Sequence, residues 1–238
     1  MTVMHFTGDT HGEHGRFDEL YRQGEGTWGK DDILFVAGDF GYVFRDNAIE
    51  RLFLNELEKK PYTICFCDGN HENFPALFTY PCETWNGGKV HRIRQNILHL
   101  MRGQVYTIDG KKLFTMGGAY SIDRYMRSEG YSYWREELPS DADYDEALRN
   151  LKAHGYRVDY ILTHTAPTNT ILTMLTQTKD MNGEQYRRIT NAVDFPLTNF
   201  FQWVAENVQY EQWFFGHWHT DLEVDEKHRA LMFDLVTR

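Results

Sequence analysis

Val3-Met4-His5-Phe6-Thr7-Gly8-Asp9-Thr10-His11-Gly12 is a short apolar run that breaks into a glycine-flanked polar turn. The run Val3–Phe6 reads as a strand. A carboxylate and an imidazole two residues apart on the turn behind it can point at one centre, which is a metal-ligand spacing. Alone the pair says little, because D-x-H is common. Four later apolar runs end the same way, in Gly38-Asp39, Gly69-Asn70-His71, Thr163-His164 and Gly216-His217-Trp218-His219. Ligands of open α/β sheets gather outside the carboxyl ends of the strands, so the repetition bears on fold and site together.

Between these turns the periodicity alternates. Arg16–Gln23 carries Phe17, Leu20 and Tyr21 at helical spacing, and Ile33–Ala37 is a continuous apolar run of the kind a doubly covered strand shows. From Asp46 to Lys60 the residues Ile49, Leu52, Phe53 and Leu57 predict a helical apolar face, stopped by Pro61 before the strand Tyr62–Cys67. Strand, helix and strand in succession point to βαβ units and a largely parallel sheet. The middle differs: Lys89–Ile93, Ile97–Met101, Gln104–Ile108 and Lys112–Met116 are short strand-like runs, with Asp109-Gly110 as a hairpin signal. They predict antiparallel sheet, a second sheet stacked on the first. Residues 119–140, rich in Tyr, Trp and charge, have no clean period and read as a loop or lid. Asp141–Ala153 is predicted helical with Tyr144, Ala147, Leu148 and Leu151 on one face. Val158–Leu162 reads as a strand, 168–191 fits no period, Phe195–Asn207 reads as a helix, and Glu211–Phe215, Leu222–Val224 and Ala230–Val236 read as strands. No repeat or composition break divides residues 1–238, so one domain is expected.

The totals narrow the function. A net charge of -10 disfavours a sequence-independent nucleic-acid binder, which needs a basic stripe. It leaves room for a small anionic substrate if bound cations set the local field. No stretch approaches the ~20 apolar residues that span a bilayer, and no signal-like segment opens the chain, so the expected compartment is the cytoplasm. Three cysteines without a framework agree: Cys65 and Cys67 alternate on one face of a strand and read as core, and Cys82 is isolated.

Asp9, His11, Asp39, Asn70, His71, His164, His217 and His219 form the constellation, and five of the eleven histidines are in it. Imidazoles, carboxylates and one amide suit a divalent transition metal such as manganese, iron or zinc. The ligands are too many for one tetrahedral site. Two adjacent ions with a bridging carboxylate are implied.

The ordered series D-x-H, G-D, G-N-H, H, G-H-x-H, from Asp9 to His219, resembles the calcineurin-like metallophosphoesterase superfamily. That resemblance implies two stacked mixed β-sheets flanked by helices, an α/β sandwich of four layers (αββα). It implies that Asp9, His11 and His219 hold one metal, Asn70, His164 and His217 hold the other, and Asp39 bridges them. The ions would be manganese first, with iron, zinc or nickel as substitutes. His71, with Asn70 beside it, would be catalytic and would protonate the leaving oxygen while a metal-bound hydroxide attacks phosphorus. Two departures are present. Glu72 stands where Asp is usual, but this position is not expected to ligate, so the site should survive. Gly38-Asp39-Phe40-Gly41-Tyr42 lacks the Asp-Arg-Gly continuation of the protein Ser/Thr phosphatases, and Arg45 is displaced from that place.

The expected activity is therefore binuclear phosphoester hydrolysis, a phosphodiesterase acting on small or nucleotide-like esters. A phosphomonoesterase, a nuclease or a non-catalytic scaffold of the same fold are its rivals. The rings of 120–134 could stack a base but read first as loop packing. Arg92, Arg94, Arg124 and Arg127 could contact phosphate but read singly as surface charge. Glu136-Glu137 reads as exposed. His5, His14, His91, His99, His154 and His228 carry no pattern.

Overall fold

The computed structural model describes residues 2–13, 15–121, 123–178 and 195–238; His14 and Ile122 lie outside these. The parallel ladder expected from the first half is present. β1 (Val3–Thr7), β2 (Asp32–Val36) and β3 (Thr63–Cys67) run parallel, with α1 (Arg16–Gln23) and α2 (Ala48–Leu57) as crossovers. Strand alternation explains why Ile33–Ala37 is apolar throughout. Leu34 and Val36 face the helices, while Ile33, Phe35 and Ala37 face the other sheet.

The middle of the chain corrects one expectation. Its two hairpins do not form one antiparallel sheet but are shared out. β4 (Cys82–Trp85), β5 (Gly88–Arg94) and β6 (Ile97–Leu100) extend the first sheet beyond β3, behind the short helix α3 (Phe74–Leu77), with β6 parallel to β3. β7 (Gln104–Ile108) and β8 (Lys111–Met116) begin the second sheet, and Asp109 and Gly110 turn between them with φ of 49° and 86°. β9 (Tyr160–Thr163) and β10 (Gln212–Phe215) continue that sheet in parallel. α4 (Asp141–Ala153), α5 (Thr168–Gln177) and α6 (Phe195–Asn207) cover its outer face. Of the unassigned 168–191, residues 179–191 lie outside the described structure.

The strand expected over Ala230–Val236 is two. After β11 (Leu222–Glu223), β12 (His228–Ala230) joins the second sheet beside β10, and β13 (Val236–Thr237) pairs with β1 in the first. The cause is Asp221, whose carboxylate accepts the amides of Met232, Phe233 and Asp234 at 2.7–3.1 Å and turns them away from any ladder. The result is a seven-stranded and a six-stranded sheet packed face to face on Phe6, Phe35, Cys65, Cys67, Leu162 and Phe214, with helices outside both. The four-layer αββα expectation holds, and Cys65 and Cys67 sit in the core as expected.

α2 is turned differently from its predicted face. Leu54 and Leu57 are buried, while Ile49 and Leu52 are 61% and 63% exposed.

Candidate metal centre

The motif turns follow β1, β2, β3, β9 and β10, so side chains from both sheets meet at one end of the sandwich. Glycine makes that approach possible. A Cβ on Gly38 would lie 2.2 Å from His164 Nδ1, one on Gly69 2.1 Å from Asp39 Oδ1, and one on Gly216 2.0 Å from Asp9 Oδ1. These three glycines each make room for a donor side chain of another motif. His11, Asp39, His217 and His219 all have positive φ, between 45° and 68°. Backbone conformations of this kind cost about 1–3 kcal/mol each in non-glycine residues and cluster at functional sites. Here the Asp39 carbonyl holds two turns together by accepting the amides of Thr10 (3.2 Å) and His11 (2.8 Å).

Asp9, His11, Asp39 and His219 form a group whose donor atoms all lie within 4.8 Å of one another. His11 Nε2 and His219 Nε2 face each other at 3.1 Å, and Asp9 Oδ2 is 3.6 Å from the first and 3.3 Å from the second. Beside them, His164 Nε2 lies 3.1 Å from Asn70 Oδ1 and 3.2 Å from Asp39 Oδ1. His164 Nδ1 donates to the Ala37 carbonyl at 2.7 Å, which turns Nε2 inward. Asn70 Nδ2 donates to Ser121 Oγ (3.1 Å), which turns the amide oxygen inward too. The His217 ring stacks edgewise on His164, with centroids 5.0 Å apart, and its backbone amide donates to Asp9 Oδ1 at 2.9 Å.

This donor set fits a cation. Lone pairs from oxygen and nitrogen converge with too few protons to share among them. The electrostatics agree. Burial alone would raise the Asp9 carboxyl, but His164, His11 and His219 outweigh it and hold the group at about 2. Burial likewise opposes ionisation of Asp39, and His164 above all holds it well below the carboxylate range. Burial would depress His164, yet the Asp39 and Asp9 carboxylates push it up to about 10. The two carboxylates thus favour the protonated form of His164, a positive charge among the donors. Burial and the His164 charge lower His217 to about 3, leaving it neutral, as a metal ligand must be.

His71 stands at the edge of the cluster, its ring 5.4 Å from that of His11 and its amide donating to Asp39 Oδ1 at 2.8 Å. Against it lies Arg127, with Nη2 2.7 Å from His71 Nε2 and Nη1 3.3 Å from Nδ1. A neutral imidazole accepts through one nitrogen only, so part of this fork is unspent. Asp123 takes Arg127 Nε at 2.6 Å and the Ser132 carbonyl takes Nη1 at 3.0 Å, fixing the guanidinium. Burial lowers His71 below the usual imidazole value; the Asp39 carboxylate works against this and the Arg127 guanidinium with it.

The surroundings add residues that sequence reading missed and corrects others. Glu137, expected at the surface, is buried. It accepts from Ser121 N (2.9 Å) and Ser121 Oγ (2.7 Å) and pairs with Arg124, so it backs the serine that orients Asn70. Tyr120 and Tyr133 flank Arg124, and Trp134 is buried with its edge on Phe44, so these rings pack the loop. Arg124 and Arg127 are therefore not surface charge, whereas Arg92 and Arg94 pair with Glu83 and Glu58 away from the cluster. Glu72 is buried and accepts the Phe40 amide at 2.8 Å, steadying the turn that carries Asp39. His91 and His99 stack together, with His99 Nε2 3.2 Å from Asp68. Ser121 and Glu137 are 16 residues apart, Phe40 and Glu72 32, and His71 and Arg127 56, so no local spacing announces these contacts.

A model of the calcineurin-like phosphoesterase family matches residues 2–221, a span that takes in every residue of the cluster. No curated protein matches the chain.

Proposed function

The chain belongs to the calcineurin-like phosphoesterase family, and on that premise we propose that it is a phosphodiesterase working with two divalent cations on small or nucleotide-like esters. Asp9, His11 and His219 would hold one cation, Asn70, His164 and His217 the other, and Asp39 both. The observation that carries this reading is Asp39 itself. One carboxylate reaches His164 Nε2 through Oδ1 (3.2 Å) and lies 3.9 Å from His11 Nδ1 through Oδ2, which supports the bridging role. The mixture of carboxylate, imidazole and amide favours manganese. Unpaired cysteines suit a reducing compartment, which supports the cytoplasm.

Bound cations would supply the Lewis acidity that activates water and offsets charge on the phosphoryl oxygens. The protein supplies the rest. His71 stands outside both donor sets but beside them, where it can pass a proton to the departing oxygen. General acid catalysis of this kind contributes typically ~10²–10⁴-fold. Arg127, carried by residues 119–140 as on a lid, would grip a phosphoryl oxygen. An arriving anion gives the guanidinium a better partner than His71 and frees the imidazole to act. The same guanidinium would suit a monoester dianion, so phosphomonoester hydrolysis is the second reading.

The test is hydrolysis of bis-p-nitrophenyl phosphate against p-nitrophenyl phosphate by chelated protein given manganese, with His71→Ala alongside. The expected outcome is manganese-dependent preference for the diester, lost in the variant. Preference for the monoester selects the second reading, and no metal-dependent turnover of either sinks both.

A further inference from the structure

His71 and His11 also line a cavity of about 410 Å³, together with Phe44, Arg45, Ile49 and Phe53. That volume is within the ~300–1,000 Å³ of small-molecule sites. The cavity borders the cluster at His71, so with His71 as the proposed acid the departing group would leave on this side.

Its outer wall is fixed before anything binds. Glu50, buried at the start of α2, accepts the amides of Phe44 (3.3 Å), Arg45 (2.6 Å) and Asp46 (2.7 Å). From the other side Asn73 donates to the Phe44 carbonyl at 3.1 Å, and its amide donates to the Val43 carbonyl at 3.0 Å. The chemistry of the wall is that of a stacking platform. Phe44 is half-buried and stands 6.2 Å from the His71 ring. The Arg45 guanidinium lies 5.9 Å over the Phe44 ring and has no carboxylate partner among the described residues. Ile49 projects from the first turn of α2 with 61% of its surface exposed, an apolar side chain that the core does not claim. Bases stack on aromatic faces and on guanidinium planes. One arginine in a chain of net charge -10 suits a single nucleoside rather than a polymer.

We propose that this cleft seats the leaving group of the ester and that the leaving group is a nucleoside, its base lying against Phe44, Arg45 and Ile49. Its place in the reaction rests on the hydrolase reading above. The P–O bond to the nucleoside oxygen breaks, water oxygen forms the new P–O bond, and the nucleoside oxygen takes its proton from His71. Of the two protons of the attacking water, one replaces the proton that His71 gave up, by way of solvent, and the other leaves to solvent with the phosphomonoester product.

Binding can test this without turnover. Calorimetry on the manganese-loaded protein would compare 5′-deoxyadenosine 5′-phosphonate, whose P–C bond resists hydrolysis, with methylphosphonate. The nucleoside phosphonate is expected to bind at least about tenfold more tightly, as one base stacked on protein warrants. Phe44→Ala should remove most of that advantage, and Ile49→Ser, at an exposed position where substitution costs little stability, should remove part of it. Neither should change methylphosphonate affinity. Equal affinities in the native protein, no binding of the nucleoside compound, or an advantage that survives both substitutions overturns the assignment. Turnover of bis-p-nitrophenyl phosphate separates the two readings. Turnover without a nucleoside advantage sinks the cleft alone, and an advantage without diester turnover sinks the diesterase while the cleft stands.

Discussion

Asp39 has its carbonyl on the amides of Thr10 and His11, its carboxylate on His71 N and His164 Nε2, and a left-handed backbone. Asp39→Asn keeps the shape and the hydrogen bond from His71 but loses the charge that two cations would share. Metal content by emission spectroscopy is expected to fall by at least one ion per chain, with activity down more than about 100-fold; unchanged content and turnover would end the bridging assignment. Arg127→Ala should lower diester kcat/KM by about 10–100-fold, the worth of a charge-assisted hydrogen bond, without changing metal content. Arg127→Lys should recover little, because lysine keeps the charge and not the fork. A Lys variant as active as the native protein would reduce Arg127 to a point charge. The two residues differ in legibility. Asp39 is announced by the apolar strand and glycine before it. Arg127 meets His71 across 56 residues, from a loop with no period.

At the scale of elements, α2 is the instructive error. Its apolar residues recur at helical spacing, but spacing gives a face and not the direction in which that face points. Leu54 and Leu57 meet the sheet, whereas Ile49 borders the cleft beside His71. Leu54→Ala is expected to cost about 2–5 kcal/mol in a denaturant titration, as buried leucines do, and Leu52→Gln less than about 0.5 kcal/mol. Equal costs would restore the predicted face. The C-terminal strand failed for another reason. Residues 230–236 have strand-like composition, and it is the distant Asp221 carboxylate, by taking three successive amides, that breaks them into β12 and β13. Strands and helices with their own period were legible. Which sheet a hairpin joins was not, because β5–β6 and β7–β8 are both pairs of short strand-like runs, and only their neighbours β3 and β9 divide them.

At the scale of the molecule, two devices tie the sheets together at the end that carries the site. The first is Asp68. Its carboxylate accepts from Arg102 Nε at 2.8 Å, and its carbonyl accepts the Gly118 amide at 2.8 Å, joining the end of β3 to the chain beyond β8. Burial would raise this carboxyl, but the Arg102 and His99 contacts outweigh it and hold it well below 3.8. A depressed carboxylate stabilises the fold above its unfolded value and loses that contribution as pH falls through the folded one. Asp68→Asn should therefore cost about 3–5 kcal/mol at pH 7, since it strands a buried guanidinium. Its gap to the native protein should narrow only below about pH 4; a gap constant to pH 2 would mean that packing, not charge, sets the cost. The second device is the donor cluster. Asp9, Asp39 and Asn70 follow strands of the first sheet, and His164, His217 and His219 follow strands of the second. A cation held between them would cross-link the two layers, and it would be lost on unfolding. At 100 times its dissociation constant, a ligand confined to the native state adds about 2.7 kcal/mol. For a chain of this size that raises Tm by roughly 5–11 °C. Manganese added to chelated protein should produce such a shift in a thermal melt. It should also slow amide exchange at the carboxyl ends of β1, β2, β3, β9 and β10 more than at β4 or β7. Asp39→Asn should abolish most of both effects because it contacts both donor sets, whereas His71→Ala, which removes none of the proposed ligands, should keep them. A native protein whose Tm and exchange ignore manganese would not be clamped by a metal, and the cluster would then be a charge network satisfied by the proton on His164.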